Sequence, residues 1–143
     1  MQIISIFKKY ALYLAWVVAL IATGGSLYFS EVLKYPPCSL CWYQRIAMYP
    51  LIFILPVAVY RKDKHIPFYV LPLTLIGTLF AGYHSLLYYG FLPESTISCA
   101  YGISCTSTYV EWFGFITIPL LSLLAFLVIS AAMVTFFTDR KGE

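Results

Sequence analysis

The chain has 143 residues, of which 62% are hydrophobic and 10% charged, and its mean hydropathy is +0.85. Such values exclude an ordinary water-soluble domain and define an integral membrane protein. The formal net charge of +3 follows from membrane topology, as argued below, and calls for no nucleic-acid partner.

Four apolar runs follow one another: Tyr10 to Phe29, Trp42 to Tyr60, Phe68 to Tyr89 and Phe113 to Phe137. Each is close to the ~20 residues that cross a hydrocarbon core of about 30 Å. They predict an all-α membrane protein, a bundle of four transmembrane helices. With no internal repeat, low-complexity tract or soluble segment between them, residues 1–143 read as one integral membrane domain. The first run follows Lys8 and Lys9 as a secretory signal would, but it exceeds the roughly 7–15 residues of a signal core, so it is read as a retained helix. Pro50 and Pro56 interrupt the second run, Pro72 the third and Pro119 the fourth. Each removes a backbone donor and predicts a local kink.

Basic residues are retained on the cytoplasmic side of a membrane. With four spans, Lys8, Lys9, Arg61, Lys62, Lys64, Arg140 and Lys141 collect on one side, leaving Lys34 and Arg45 opposite. Both termini and the loop Arg61 to His65 are therefore expected in the cytoplasm. The loops Ser30 to Cys41 and Gly90 to Trp112 are expected outside, and they hold all four cysteines, Cys38, Cys41, Cys99 and Cys105. Disulfides persist in that compartment.

Cys38-Ser39-Leu40-Cys41 places two sulfurs one helical turn apart, where they can close a disulfide. Pro36-Pro37 precede them, and proline at a first helical position predicts both cysteines in the opening turn of the second helix. The exposed amide ends there favour a thiolate. Arg45 stands four residues after Cys41, on the same helical face and one turn deeper. An arginine costs roughly 2.5–3.5 kcal/mol at the centre of a span and less near its end, which marks a functional group; snorkelling to lipid headgroups is the alternative.

Cys99 and Cys105 can close a ring of about seven residues, contributing on the order of 2.4 kcal/mol by the chain-entropy expression. Helices held in lipid gain little from such a ring. Carrying Ser98, Gly102, Ser104 and Thr106, it is better suited to attack by a partner's thiolate. Two exchangeable disulfides form an electron relay rather than two staples. Zinc is disfavoured: the second pair has a five-residue spacer, and thiols in an oxidising space pass to disulfides. His84 lies near the outer end of the third span at a depth comparable to Arg45, as a core histidine or as a functional one. Trp16, Tyr43, Trp112 and Phe113 read as interfacial belt residues.

A relay of two disulfides stops after two turnovers unless reoxidised. No nucleotide fingerprint, haem-attachment motif or phosphate loop is present, so the acceptor is expected to be lipid-soluble, a quinone. Arg45 beside Cys41 would contact its carbonyl and stabilise charge on reduction.

The run Pro37-Cys38-Ser39-Leu40-Cys41-Trp42-Tyr43-Gln44-Arg45, the four spans and the later external pair resemble the disulfide bond formation protein B (DsbB) family. The short second loop and Trp112-Phe113-Gly114-Phe115 look closest to its BdbC branch. Placing the C-x-x-C before the second pair separates it from vitamin K epoxide reductase relatives, where that motif comes last. The resemblance covers essentially the whole chain. It implies a thiol:quinone oxidoreductase of the bacterial plasma membrane that reoxidises a thioredoxin-fold oxidase of the DsbA or BdbD type, using menaquinone or ubiquinone. By that resemblance Cys99 forms the mixed disulfide with the partner, Cys105 attacks Cys38, and Cys41 passes electrons to quinone. Longer members carry an insertion between the two loop cysteines that is missing here, so Cys105 stays open as the attacked residue. Arg45 matches the family's quinone-contacting arginine, and His84 matches a histidine near the quinone more loosely. A non-enzymatic membrane subunit with two structural disulfides is the alternative function. A transporter would need polar residues at midplane, and the spans have almost none.

Overall fold

The computed structural model describes residues 2–93, 106 and 111–141. Helix α1 (Gln2–Leu27) runs into one wider π-helical turn at Tyr28–Val32, followed by α2 (Ser39–Met48), α3 (Leu51–Arg61), α4 (Ile66–Tyr88) and α5 (Ile118–Lys141). Two short antiparallel strands, β1 (Glu111–Trp112) and β2 (Ile116–Thr117), precede α5, with Glu111 opposite Thr117 and Trp112 opposite Ile116. Four stretches are long and apolar enough to cross a membrane: Tyr10–Val32, Ser39–Arg61, Ile66–Tyr88 and Ile118–Thr138. The four-helix membrane architecture expected from hydropathy is therefore present.

The second crossing is two helices in one. Tyr49 and Pro50 both keep right-handed helical angles, but Pro50 has no N–H to give and α3 restarts from it, with the Ile54 N–H bonding the Pro50 carbonyl at 3.0 Å. Pro56 and Pro72 lie inside α3 and α4, as expected. Pro119 does not: α5 begins at Ile118, so this proline occupies the first turn, where its missing N–H costs nothing.

Two boundaries shift for physical reasons. The fourth apolar run was expected to be helical from Phe113, but Phe113 and Gly114 take positive φ of 56° and 79°, which closes a hairpin instead of a helix. Tyr89, just past α4, donates its hydroxyl hydrogen to the Phe115 carbonyl and ties that hairpin to the bundle. The second apolar run starts at Trp42, but its helix opens earlier, at Ser39, with Cys38 as the N-cap in extended conformation (φ −75°, ψ 174°), so the two cysteines stand at its opening turn as expected. Pro36 and Pro37 thus precede the cap; neither occupies the first helical position.

The core is built on small residues that let helices approach closely. Ala11, Ala15 and Ala19 form a fully buried stripe along α1, and α5 packs most extensively on α4 and α1. On α5, Phe126, Ile129, Ala132 and Met133 are completely buried. Gly77 of α4 receives the Phe126 ring: a Cβ there would sit 2.2 Å from the ring edge. Outward-facing Ile46, Phe53, Tyr60, Phe68 and Leu79 are exposed, as side chains bathed in lipid should be.

Candidate active site

Placing Cys38 at the N-cap and Cys41 three residues later puts both sulfurs at the open end of α2. The N–H groups of Ser39, Leu40 and Cys41 precede the first intrahelical bond, which runs from the Trp42 N–H to the Cys38 carbonyl at 3.1 Å. The two sulfurs are 3.2 Å apart in thiol contact. Cys38 is buried in a cluster with Leu40 and Leu87, against which the half-buried Cys41, Phe80 and Tyr83 pack. Tyr43 stacks on Phe80, ring centroids 5.0 Å apart, and clamps α2 to α4.

His84 of α4 is 3% exposed and reaches the same place. Its Nε2 is 3.8 Å from Cys38 Sγ, and its Nδ1 is 3.0 Å from Gln44 Nε2. Gln44 Oε1 accepts from the Ser122 hydroxyl of α5 at 2.7 Å. His84 is therefore a neighbour of the sulfur pair, not an isolated core histidine. Nothing in the local sequence pattern gives Gln44 or Ser122 a role, although Gln44 lies within the motif. The Cys38, Cys41 and His84 donor atoms lie within 4.8 Å of one another.

Arg45 is held by α1. Its Nε donates to Ser26 Oγ at 2.9 Å and an Nη to the Ser26 carbonyl at 3.1 Å, with the guanidinium carbon 5.3 Å from the Trp42 ring centroid. Two of its five N–H donors are thus engaged within the bundle. A cavity of about 480 Å³ adjoins these groups and takes wall residues from all four crossings. Cys38, Cys41, Arg45 and His84 lie on its wall, beside apolar side chains such as Val18, Ile21 and Leu121. Tyr49, one turn beyond Arg45, lines it too, and its hydroxyl oxygen is buried with no hydrogen-bond partner among the described residues. Four of the six residues singled out from sequence thus converge; Cys99 and Cys105 lie outside the described residues.

A multi-pass membrane bundle that holds a C-x-x-C pair at a helix end, beside an arginine and a histidine, defines a membrane dithiol–disulfide protein. The chain belongs to the DsbB family: the family model described as "Disulfide bond formation protein DsbB" matches residues 8–136. It is 47% identical over 137 residues to "Disulfide bond formation protein C" of Bacillus subtilis, covering 92% of this chain and 93% of the relative. It is 48% identical over 136 residues to "Probable disulfide formation protein C 2" of Bacillus cereus, covering 95% and 96%. A "Probable disulfide formation protein" of Coxiella burnetii is 43% identical over 139 residues, covering 96% and 94%. No solved structure matches. The family assigns the chain a role in disulfide bond formation, and with it disulfide oxidoreductase activity.

Proposed function

We propose that this chain is a thiol:quinone oxidoreductase of the bacterial plasma membrane, with Cys38, Cys41, Cys99 and Cys105 on the outer side. It reoxidises a thioredoxin-fold thiol oxidase and discharges the electrons into the membrane quinone pool. The observation that carries the reading is the Cys38–Cys41 pair set into the wall of an apolar intramembrane cavity beside Arg45. A purely structural disulfide has no use for such a cavity.

The partner's thiolate attacks the Cys99–Cys105 bond; the released thiolate attacks Cys38, and Cys41 leaves as a thiolate facing the cavity. Re-forming the Cys38–Cys41 bond from two thiols releases two electrons and two protons. A quinone accepts that number of each. The residues present suit its head group: a flat ring with two carbonyl acceptors needs apolar walls and a few placed donors. Arg45 has donors beyond the two used on Ser26, and the Tyr49 hydroxyl is unpartnered among the described residues. A buried hydroxyl without a partner costs about 1–3 kcal/mol, which a bound carbonyl would offset. Arg45 would also stabilise negative charge developing on the ring oxygen.

Purified protein, given a reduced thioredoxin-fold partner under anaerobic conditions, is expected to turn over many times with added quinone and at most about twice without it, because two disulfides are its internal store. Equal multiple turnover in both conditions would remove quinone from the reaction.

A further inference from the structure

Gln44 is 7% exposed, and a buried primary amide must find partners for its polar atoms. It finds them on two different helices. On one side the Ser122 hydroxyl donates to Oε1 at 2.7 Å, and on the other Nε2 faces His84 Nδ1 at 3.0 Å. With Oε1 occupied as the acceptor for Ser122, Nε2 is left to donate to the ring. A ring nitrogen that accepts carries no hydrogen, so the hydrogen of the neutral imidazole lies on Nε2. That nitrogen points at Cys38 Sγ, 3.8 Å away. An N–H aimed at sulfur favours the thiolate, an acceptor, over the thiol.

We propose that Gln44, braced by Ser122, is a positioning residue that holds His84 in its Nε2–H tautomer and so makes the imidazole a standing donor to the Cys38 thiolate. The proposal rests on the exchange chemistry described above. When the external pair re-forms, one of its thiolates attacks the external sulfur of the mixed disulfide with Cys38. The external S–S bond forms, the bond to Cys38 breaks, and Cys38 Sγ leaves with the electron pair. The number of thiolates is unchanged and no proton has to move, because the hydrogen on Nε2 is already in place. Ser122 decides the arrangement, since its oxygen also lies 2.9 Å from the Pro119 carbonyl and its one hydrogen serves a single acceptor. A hydroxyl turned to Pro119 would let the amide reverse and move the ring hydrogen to Nδ1.

A donor that stabilises the reduced form makes a dithiol pair more oxidising, and this can be read without quinone or partner. In full-length protein carrying Cys99→Ala and Cys105→Ala, the Cys38–Cys41 pair is equilibrated with glutathione buffers and the reduced fraction is counted by alkylation. Losing one charge-assisted hydrogen bond is expected to move the equilibrium about tenfold toward the disulfide in Gln44→Leu and in His84→Phe. Ser122→Ala, a milder change, is expected to move it in the same direction by less. The double variant Gln44→Leu with His84→Phe should shift no further than His84→Phe alone, because the amide acts only through the ring. The chain has two histidines, so ¹⁵N labelling resolves the His84 ring, expected as Nε2–H in the wild type and as mixed tautomers in Gln44→Leu. An Nδ1–H ring in the wild type would overturn the proposal, as would additive shifts in the double variant or an unmoved equilibrium in Gln44→Leu. A wild-type pair that does not exchange with glutathione at all would overturn the exchange chemistry, and this proposal with it.

Discussion

Arg45 illustrates how much one side chain's role depends on what anchors it. A snorkelling arginine would extend toward headgroups and tolerate replacement, whereas here Ser26 fixes two of its N–H groups and the Trp42 ring covers its cation. The charge is thereby held at the cavity wall, one turn from Cys41. If it contacts the acceptor, Arg45→Met is expected to raise the apparent quinone KM about 10–150-fold, the equivalent of a charge-assisted contact of roughly 1.5–3 kcal/mol. Arg45→Lys should recover only part of this, because an ammonium keeps the charge and loses the planar fork. A quinone titration in steady state, with partner exchange measured separately, checks it; an unchanged KM and rate in Arg45→Met would leave Arg45 as a structural anchor. The local part of this site was legible in sequence, since Cys38, Cys41 and Arg45 are related by helical spacing alone. Its long-range part was not. Ser26 meets Arg45 across 19 residues, His84 meets Gln44 across 40, and Ser122 meets Gln44 across 78, and hydropathy says nothing of which faces come together.

At the scale of helices, hydrophobic length located all four crossings, because that signal averages over many residues. It failed at ends, where one or two dihedral angles decide. Trp112-Phe113-Gly114-Phe115 is as apolar as the start of a span, yet positive φ at Phe113 and Gly114 turns it into a hairpin. Close packing was equally invisible. Gly77 could have been any tolerated glycine in a membrane helix, but its missing Cβ makes room for the wholly buried Phe126 ring, which also lines the cavity. Gly77→Ala is accordingly expected to destabilise the bundle by about 1–3 kcal/mol, the usual cost of overpacking, by forcing that ring from its place. Phe126→Leu alone also destabilises, by leaving space behind. Combined, the two changes should cost less than their sum, since the smaller side chain accepts the new methyl. Thermal unfolding of the four proteins in one detergent gives the answer, and strict additivity would show that Gly77 and Phe126 do not share the contact.

For the whole molecule, the proposed relay depends on which face of the membrane holds the cysteines. The bundle places the α1–α2 connection and the hairpin before α5 at one end, joined through Tyr89 to the top of α4, while the turn Arg61 to His65 lies at the other. At that far end Lys62 caps α3 in left-handed conformation and Asp63 accepts the His65 N–H at 2.8 Å, so the basic turn is tightly formed. Positive residues near the ends of spans resist translocation, so in the orientation proposed above this turn is cytoplasmic and the Cys38–Cys41 end lies outside. A thiol reagent that cannot cross membranes is therefore expected to modify Cys41, Cys99 and Cys105 in intact, reduced cells. Cys38 should react more slowly, because only 4% of its surface is exposed. A cysteine placed in the basic turn as Lys64→Cys, with the four native cysteines changed to alanine, should stay unmodified until the membrane is permeabilised. Modification of Lys64→Cys in intact cells, together with protection of Cys99 and Cys105, would invert the topology. It would put the dithiol in the reducing cytosol, where a disulfide-forming relay has no oxidising compartment to serve.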